Sequence, residues 1–228
     1  MVPPQPYTPP PTTPTERVRA AYLRRSETDY IFDFWTAFGW TLLTCGIYFL
    51  YVLYQLVRRS RDHNLRRIEL LDAAATFAWE RAQAQGITEE LRPAFERIGP
   101  PMATLRRLAT EFRDPTIWAI IAVVARWIAE IVAFILLDGD LYTHDRAEGA
   151  VEHELSGIYA RLGAPIAPPD PARLKERHNY GGRVAASLLT LGFYSFWWEY
   201  DVMTEGNRHF AANWIWEDQL AASVQHLL

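Results

Sequence analysis

The sequence is poor in the residues that mark several common classes of protein. It holds a single cysteine, Cys45, so an internal disulfide is excluded and nothing indicates an oxidising compartment. Basic residues number 23 against 27 acidic ones, and the net charge of −4 argues against a general nucleic-acid binder, which needs a basic surface. The residues before the first apolar run are rich in proline rather than basic, so we predict no secretory signal peptide.

Signatures of catalysis are also missing. The sequence has no HExxH motif and no paired CxxC motif, and the two glycines within residues 180–183 form too short a run for a phosphate-binding loop. Ser187 and Ser195 lack the sequence that surrounds a nucleophile elbow. We therefore predict that the protein is not an enzyme, with no catalytic, cofactor-binding or metal-binding residue.

The densest group of potential metal ligands is His144, Asp145, Glu148, Glu152, His153 and Glu154. On a helix, His144, Glu148 and Glu152 share one face, and their spacing suits a divalent metal ion. A solvated acidic helix face is the interpretation that we favour. A metal-dependent enzyme around His144 and His153 remains a third hypothesis for the function.

Apolar residues, by contrast, are abundant and clustered. They make up 50% of the chain and form three segments, at residues 30–57, 117–137 and 184–203. The stretches between these segments repeat apolar residues at spacings of three and four, which is typical of amphipathic helices. No stretch shows the period-two alternation of a strand. We predict an all-α, membrane-associated protein with two Gly-centred hydrophobic helical hairpins, one long apolar helix and amphipathic helices.

Changes in composition divide the chain, and prolines at residues 99–101 and 164–171 indicate linkers. The predicted regions are a disordered Pro-rich tail over residues 1–15, a first hydrophobic hairpin plus amphipathic helices over 16–114, a long apolar helix plus an amphipathic helix over 115–163, a linker over 164–179, and a second hydrophobic hairpin plus a C-terminal amphipathic helix over 180–228.

The first and third apolar segments look like copies of one another. Residues 41–48 match residues 187–194 as (Thr/Ser)-Leu-Leu-Thr-(Cys/Leu)-Gly-(Ile/Phe)-Tyr, and the same register aligns Gly46 with Gly192 and His63 with His209. This pattern resembles an uncharacterised bacterial membrane-domain family, domain of unknown function 4234. The resemblance covers about a third of the chain, implies a membrane location with short paired hydrophobic helices, and implies no chemistry.

The two copies are better suited to entering a membrane and returning than to crossing it. Gly46 lies at the middle of the first segment, and glycine permits a turn there. Each half is then about 22 Å long, which is less than the bilayer core of about 30 Å. Arginines flank the first segment on both sides, which favours the cytoplasmic face of the cell membrane for both ends. We expect Thr44 and Thr190 to bond the two turns.

Aromatic residues and arginines next to the copies are predicted to lie at the membrane interface, where amphipathic rings and basic groups are both stabilised. These residues are Arg58, Arg59, Arg61, Tyr48, Tyr194, Trp197 and Trp198, with Arg66 and Arg67 as further candidates for contact with anionic lipid. His63 and His209 are candidates for contact with a lipid headgroup or a protein partner. Interfacial histidines without a special role are the alternative.

The second apolar segment is long enough to span, but Arg126 lies at its centre and Glu130 one turn later. Each such charge costs about 2.5–3.5 kcal/mol at the centre of an inserted helix. Ala125, Ala129 and Ala133 recur every four residues and allow another helix to approach closely. We predict that this face packs on protein, with the two charges at a helix–helix contact, and that the whole chain lies on the cytoplasmic face.

The function predicted from these features is that of a membrane-anchored structural or scaffolding protein. We expect it to self-associate through the alanine face, or to bind a protein partner, and to have the lipid bilayer as its other partner. The alternative, from a different class, is a membrane module that binds or transports a lipid or small molecule. No cofactor and no nucleic acid are predicted as partners.

Overall fold

A computed structural model of the chain describes residues 12–110 and 114–228. Within these two ranges the chain forms helices and no strand, which confirms the predicted all-α class and the long apolar helix. The helices are α1 (Pro14–Leu23), α2 (Arg25–Thr28), α3 (Phe34–Leu43), α4 (Tyr48–Gln85), α5 (Thr88–Thr110), α6 (Pro115–Arg161), α7 (Tyr180–Leu189) and α8 (Phe193–His226), with a 3₁₀ helix (Pro171–Arg173) before α7.

Three long helices, α4, α6 and α8, organise the fold in layers. Near its start each contributes to a first core, which includes residues 49–57, 118–137 and 198–203. Near its end each contributes to a second core, which α1 and α5 complete. Because the order of the layers is the same on all three helices, they run in the same direction. Between the cores lies a charged layer, formed by buried polar residues within 59–67, 138–152 and 209–217.

The prolines of α5 do not end it, so the prediction of a linker at residues 99–101 is wrong. Pro100 and Pro101 remove hydrogen-bond donors from the helix, which costs about 3 kcal/mol for an interior proline. Ile98, Met102 and Leu105 are buried in the second core on the same helix. Their packing holds the segment helical against the local preference of the prolines.

The prediction of a disordered tail over residues 1–15 is wrong at its end. Helix α1 begins at Pro14, where the side chain of Thr13 accepts a hydrogen bond from the backbone of Glu16 and the Glu16 carboxylate accepts one from Thr13. This capping box satisfies N–H groups that the first turn of a helix leaves free. The rest of the predicted tail, residues 1–11, lies outside the described residues.

Two turns of the same geometry lead into α4 and α8. Gly46 has φ 89° and Gly192 has φ 93°, in the left-handed region that favours glycine. The hydroxyl of Thr44 accepts a hydrogen bond from the backbone of Tyr48 at 2.9 Å, and Thr190 does the same for Tyr194 at 2.9 Å. Each threonine therefore bonds its own turn, as the sequence led us to expect.

Helix α6 is broken at Ala125, which has φ −137° and ψ 53°. Among the described helices it is the one long and apolar enough to cross a membrane, judged by length and composition. The break separates residues 115–124 from residues 126–161. At the break, the Arg126 side chain lies against Gly46 and the Trp127 ring against Gly192, so the break and the two turns meet at one end of the molecule. We call this end the apolar tip.

The alanine face of α6 is used within the chain. Ala129 and Ala133 are each 1% exposed and belong to the first core, while Ala125 is the residue at the break. The predicted packing of this face on protein therefore takes place on the chain's own helices. It leaves Ala129 and Ala133 unavailable for self-association, and the sequence-based expectation of an oligomer through them is corrected.

This burial gives a prediction for Ala129→Leu. The added carbon atoms have no free space in a packed core, so we expect the free energy of unfolding to fall by about 1–3 kcal/mol. Thermal melting in detergent measures the change. Val124→Leu is the matched control because Val124 is 85% exposed on the same helix. A variant that melts like the wild type but loses an oligomer would restore the earlier interpretation.

Candidate metal centre

Three histidines from three different helices meet in the charged layer. His63 lies on α4, His144 on α6 and His209 on α8, and the carboxylate of Glu148 joins them one turn after His144. All four side chains are buried. One ligand atom from each lies within 4.8 Å of the others. We call these four residues the His₃Glu centre.

Three of the distances within the group are those found in a tetrahedral metal site. Ligand atoms bound about 2.0–2.1 Å from a metal at the corners of a tetrahedron lie about 3.3–3.4 Å from one another. The Nε2 atoms of His63 and His209 are 3.3 Å apart. Nε2 of His144 lies 3.4 Å from Glu148 Oε1, and Nε2 of His209 lies 3.4 Å from Glu148 Oε2. These three distances equal the tetrahedral edge, with the two distances to Glu148 running to different oxygens of its carboxylate.

Two aspartates determine which nitrogen each histidine turns toward the centre. Nδ1 of His63 lies 2.9 Å from Oδ1 of Asp29, and Nδ1 of His209 lies 3.1 Å from Oδ1 of Asp145. A carboxylate accepts a hydrogen bond from Nδ1–H and so leaves the lone pair on Nε2, which is how histidine ligands of metals are oriented. The Nε2 lone pairs of His63 and His209 therefore face each other.

Two of the three histidines, His63 and His144, are held neutral, as metal ligands must be. Burial lowers the pKa of His63 to about 3, and it also lowers the pKa of His144. Burial alone raises the pKa of the Glu148 carboxyl, but the Arg67 guanidinium and the nearby imidazoles more than offset this and hold the pKa well below its usual range. At neutral pH the centre thus presents neutral imidazoles at His63 and His144 and an ionised carboxylate at Glu148.

The side chain of Asn213 provides hydrogen bonds to some of the ligand atoms of the centre and not to others. Its side-chain N–H₂ donates to Glu148 Oε2 at 2.9 Å and lies 3.1 Å from His209 Nε2, so it can serve both. It lies 3.5 Å from His63 Nε2. Among the described residues, neither ring nitrogen of His144 has a hydrogen-bond partner. Because an unbonded buried polar group is costly, His144 is the member of the centre that most needs a further ligand.

The charges around the centre do not balance without a cation. Arg66 donates to Asp29 at 2.7 Å and to Glu217 at 2.7 Å, and Arg67 donates to Glu152 at 2.6 Å. The connected group has five carboxylates, Asp29, Asp145, Glu148, Glu152 and Glu217, and three guanidinium groups, Arg66, Arg67 and Arg173. Burial raises the pKa of Glu152 to about 7, so between one and two negative charges are left over in this buried layer at neutral pH, and a divalent cation offsets them.

The residues of the acidic helix face predicted from the sequence have two different roles, in the His₃Glu centre and in ion pairs with arginines. His144 and Glu148 belong to the centre, whereas Glu152 instead pairs with Arg67 and Arg173 and takes no part in it. His153 is exposed and points away. His63 and His209, aligned by the sequence match, are the two histidines in closest contact. Asp29 and Asp145 were not singled out for the roles that they have, because nothing local connects them to those histidines.

Three of the arginines expected near lipid are buried in protein. Arg59 donates to the carbonyls of Val202 at 3.0 Å and Met203 at 3.2 Å, and Arg66 and Arg67 pair with carboxylates of the charged layer. Their interfacial assignment is corrected, because their donors are already used. Arg58 remains exposed and pairs with Asp62.

The other interfacial residues also differ in exposure. Trp198 is fully buried in the first core, which corrects its assignment to the interface. Trp197 is 59% exposed, and Tyr48 and Tyr194 are half-buried beside the two turns. Arg61 is half-buried and pairs with Asp62 at 2.8 Å.

The charges of the second apolar segment line a separate cavity at the apolar tip. Arg126, Glu130 and Glu199 all border this cavity, which has a volume of about 130 Å³. The Arg126 guanidinium also lies over the ring of Phe49, 5.1 Å from its centroid. Arg126 and Glu130 therefore lie where α6 meets α8 and the start of α4.

A comparison of the chain with protein-family models, with curated proteins and with solved structures gives no match. The resemblance to domain of unknown function 4234 therefore stays a prediction. The chemistry of the His₃Glu centre follows from its own residues: three imidazole nitrogens and one carboxylate oxygen within 4.8 Å of one another are a ligand set typical of zinc and neighbouring divalent transition metals.

Proposed function

We propose that this protein is anchored in a membrane by its apolar tip and binds one divalent transition-metal ion, of the zinc class, in the His₃Glu centre. One observation carries the proposal. Nε2 of His63 and Nε2 of His209 lie 3.3 Å apart, and each imidazole is turned by an aspartate so that its lone pair faces the other. Two facing lone pairs repel each other; the Asn213 N–H₂, 3.1 Å from one and 3.5 Å from the other, relieves this only in part, whereas a cation between them relieves it fully.

The ion would join the three long helices at mid-length. Four protein ligands complete a tetrahedron, which is typical of a structural site rather than of a catalytic one with an open position. Because the ligands come from α4, α6 and α8, binding would link these helices between the first and second cores. Binding energy at such a site adds to the stability of the folded chain.

Exposure of apolar side chains at the tip supports the membrane anchor. Leu43, Val124, Leu189 and Leu191 are between 76% and 85% exposed, although they are among the most apolar residues of the chain. Soluble monomers rarely expose large contiguous apolar patches, which mark membrane or protein contacts. The piece of α6 before the break is about 15 Å long, half of the bilayer core. We therefore propose insertion from one side, with both polar ends on the cytoplasmic face.

Metal binding was not expected from the sequence, which predicted no metal-binding residue; the alternative predicted there, a membrane module that binds or transports a lipid or small molecule, stays a prediction. Scaffolding through self-association stays a prediction, now without Ala129 and Ala133 as its surface. We propose no enzymatic activity.

The metal proposal is tested by titrating the purified chain in detergent. After removal of metal by a chelator, we expect one equivalent of Zn²⁺ or Co²⁺ to bind tightly, with the visible absorption of Co²⁺ reporting tetrahedral coordination. His153→Gln is the matched control because His153 is exposed on the same helix as His144. It should bind one equivalent as well. A wild-type chain that binds no stoichiometric metal at neutral pH would refute the proposal.

A further inference from the structure

A second group of potential metal ligands lies close to the His₃Glu centre. Nδ1 of His178 is 2.9 Å from Oδ2 of Asp138, and Nε2 of His178 is 3.3 Å from Oε1 of Glu205. One ligand atom from each of the three residues lies within 4.8 Å of the others. An imidazole and two carboxylates form a ligand set that binds divalent metals. We call these three residues the outer cluster.

A positively charged side chain already lies in the outer cluster. The ammonium of Lys175 pairs with both Asp138 and Glu205. With the lysine present the two carboxylates keep one uncompensated negative charge, whereas a divalent ion would neutralise them fully. The cluster therefore attracts a divalent cation more strongly than it holds a monovalent one, at equal distance.

The outer cluster is arranged between water and the buried centre. The side chains of His178 and Glu205 are 23% and 24% exposed, while Asp138 is buried. A cavity of about 40 Å³ is bordered by Asp138, Lys175 and Glu205 and also by His63 and His144. A cavity of this size has room for water, and it connects the cluster with two ligands of the centre.

Lys175 is also tied to the centre through its backbone. Its N–H donates to Oδ2 of Asp145 at 2.6 Å, and Oδ1 of the same aspartate holds His209. The segment that carries Lys175 thus touches both the outer cluster and the carboxylate behind a centre ligand. Movement of this segment would therefore shift Asp145 and, through it, the His209 imidazole.

We propose that Asp138, His178 and Glu205 form an access site through which a divalent metal ion reaches the His₃Glu centre, and that the ion displaces the Lys175 ammonium from it. The proposal rests on the proposed function, because an access site has a role only if the His₃Glu centre binds a metal ion. An isolated divalent ion is strongly disfavoured in a buried, low-dielectric layer. Carboxylates along the route lower this barrier and raise the local cation concentration.

The test separates the rate of metal loading from the amount bound. Metal-free chain in detergent is mixed with Co²⁺ in a stopped-flow instrument, and the visible absorption is followed to equilibrium. We expect Lys175→Met to load about tenfold faster and Glu205→Gln about tenfold slower, because the local field sets the rate of cation arrival. Both variants should still bind one equivalent in the centre.

Further variants separate the outer cluster from general charge effects. Asp138→Asn should slow loading like Glu205→Gln, and thermal melting shows whether it folds. Glu176→Gln removes an exposed charge from the same segment and should load at nearly the wild-type rate. One bound equivalent with unchanged rates in Lys175→Met and Glu205→Gln would overturn the access site alone. No bound metal in the wild type would overturn both the access site and the proposed function.

Discussion

A chain with aspartate in place of Leu43, Val124 and Leu189 is expected to leave the membrane. Each position lies at a different part of the apolar tip, one beside each turn and one at the break in α6. Exchanging leucine or valine for aspartate costs about 3–4 kcal/mol at the centre of an inserted helix on insertion scales. Three such changes, even at a shallower depth, should lower the partition into vesicles by about a thousandfold or more.

The readout is resistance of the membrane-bound chain to extraction by carbonate. The wild type should stay with the membrane and the triple variant should be released. The matched control carries the same three charges at Leu23, Leu65 and Ile215, which are 51–64% exposed but lie away from the tip. This control should stay bound. Release of the wild type itself, or of both variants equally, would show that the tip is not the anchor.

The native cysteine reports the depth of insertion independently. Cys45 is exposed and lies within the turn at Gly46. A polarity-sensitive fluorophore on Cys45 should shift to a shorter emission wavelength with vesicles and be quenched by lipids that carry a quencher in the acyl chain. In a Cys45→Ser chain with the exposed Gln83 replaced by cysteine, the same fluorophore should not respond. Equal responses at both positions would contradict insertion by the tip.

Local features of the sequence were sufficient to predict the two turns, the apolar segments and the amphipathic helices. The left-handed turns at Gly46 and Gly192 require a residue without a Cβ, and each is followed by the start of a long helix. The apolar segments and the amphipathic stretches appear as the two cores. The break at Ala125 could not be predicted, because alanine favours helix and no glycine or proline lies beside it.

The charged layer shows why the metal centre was missed. The carboxylates that pair with Arg66 come from positions 37 and 151 residues away, so the sequence displays only a basic helix after an apolar run. That pattern predicts contact with lipid. Glu148 and Glu152 likewise look like a solvated face, because helical spacing says nothing about the arginine that lies opposite them.

Part of the centre was nevertheless visible in the repeat. The match between residues 41–48 and 187–194 aligned His63 with His209, and these two nitrogens are now in contact. If two copies of one hairpin pack side by side, residues at equal positions face each other across the pair. The third ligand, His144, lies outside the repeat, and only the tertiary packing of α6 brings it to the same point.

Replacement of His63 by alanine is expected to weaken metal binding by more than about 100-fold, since a lost ligand should cost more than a lost partner behind a ligand. Asp145→Asn should weaken it by about 10- to 100-fold, because Asp145 orients His209 without touching the ion. His153→Ala should change nothing. Competition between each variant and a chelator of known affinity measures all three, and equal affinities throughout would refute the centre.

Stability measurements then distinguish a lost ligand from a damaged fold. Metal at about 100 times its dissociation constant should stabilise the wild type by about 2.7 kcal/mol, and it should leave His63→Ala almost unchanged. His63 is the better choice than Glu148 for this test. Removing Glu148 would leave Arg67 without one of its buried carboxylate partners and would destabilise the chain whether or not metal binds. Loss of the neutral imidazole leaves a cavity and removes one hydrogen bond from Asp29, which keeps its bonds to Thr28 and Arg66, so a metal-dependent difference can be assigned to the ion.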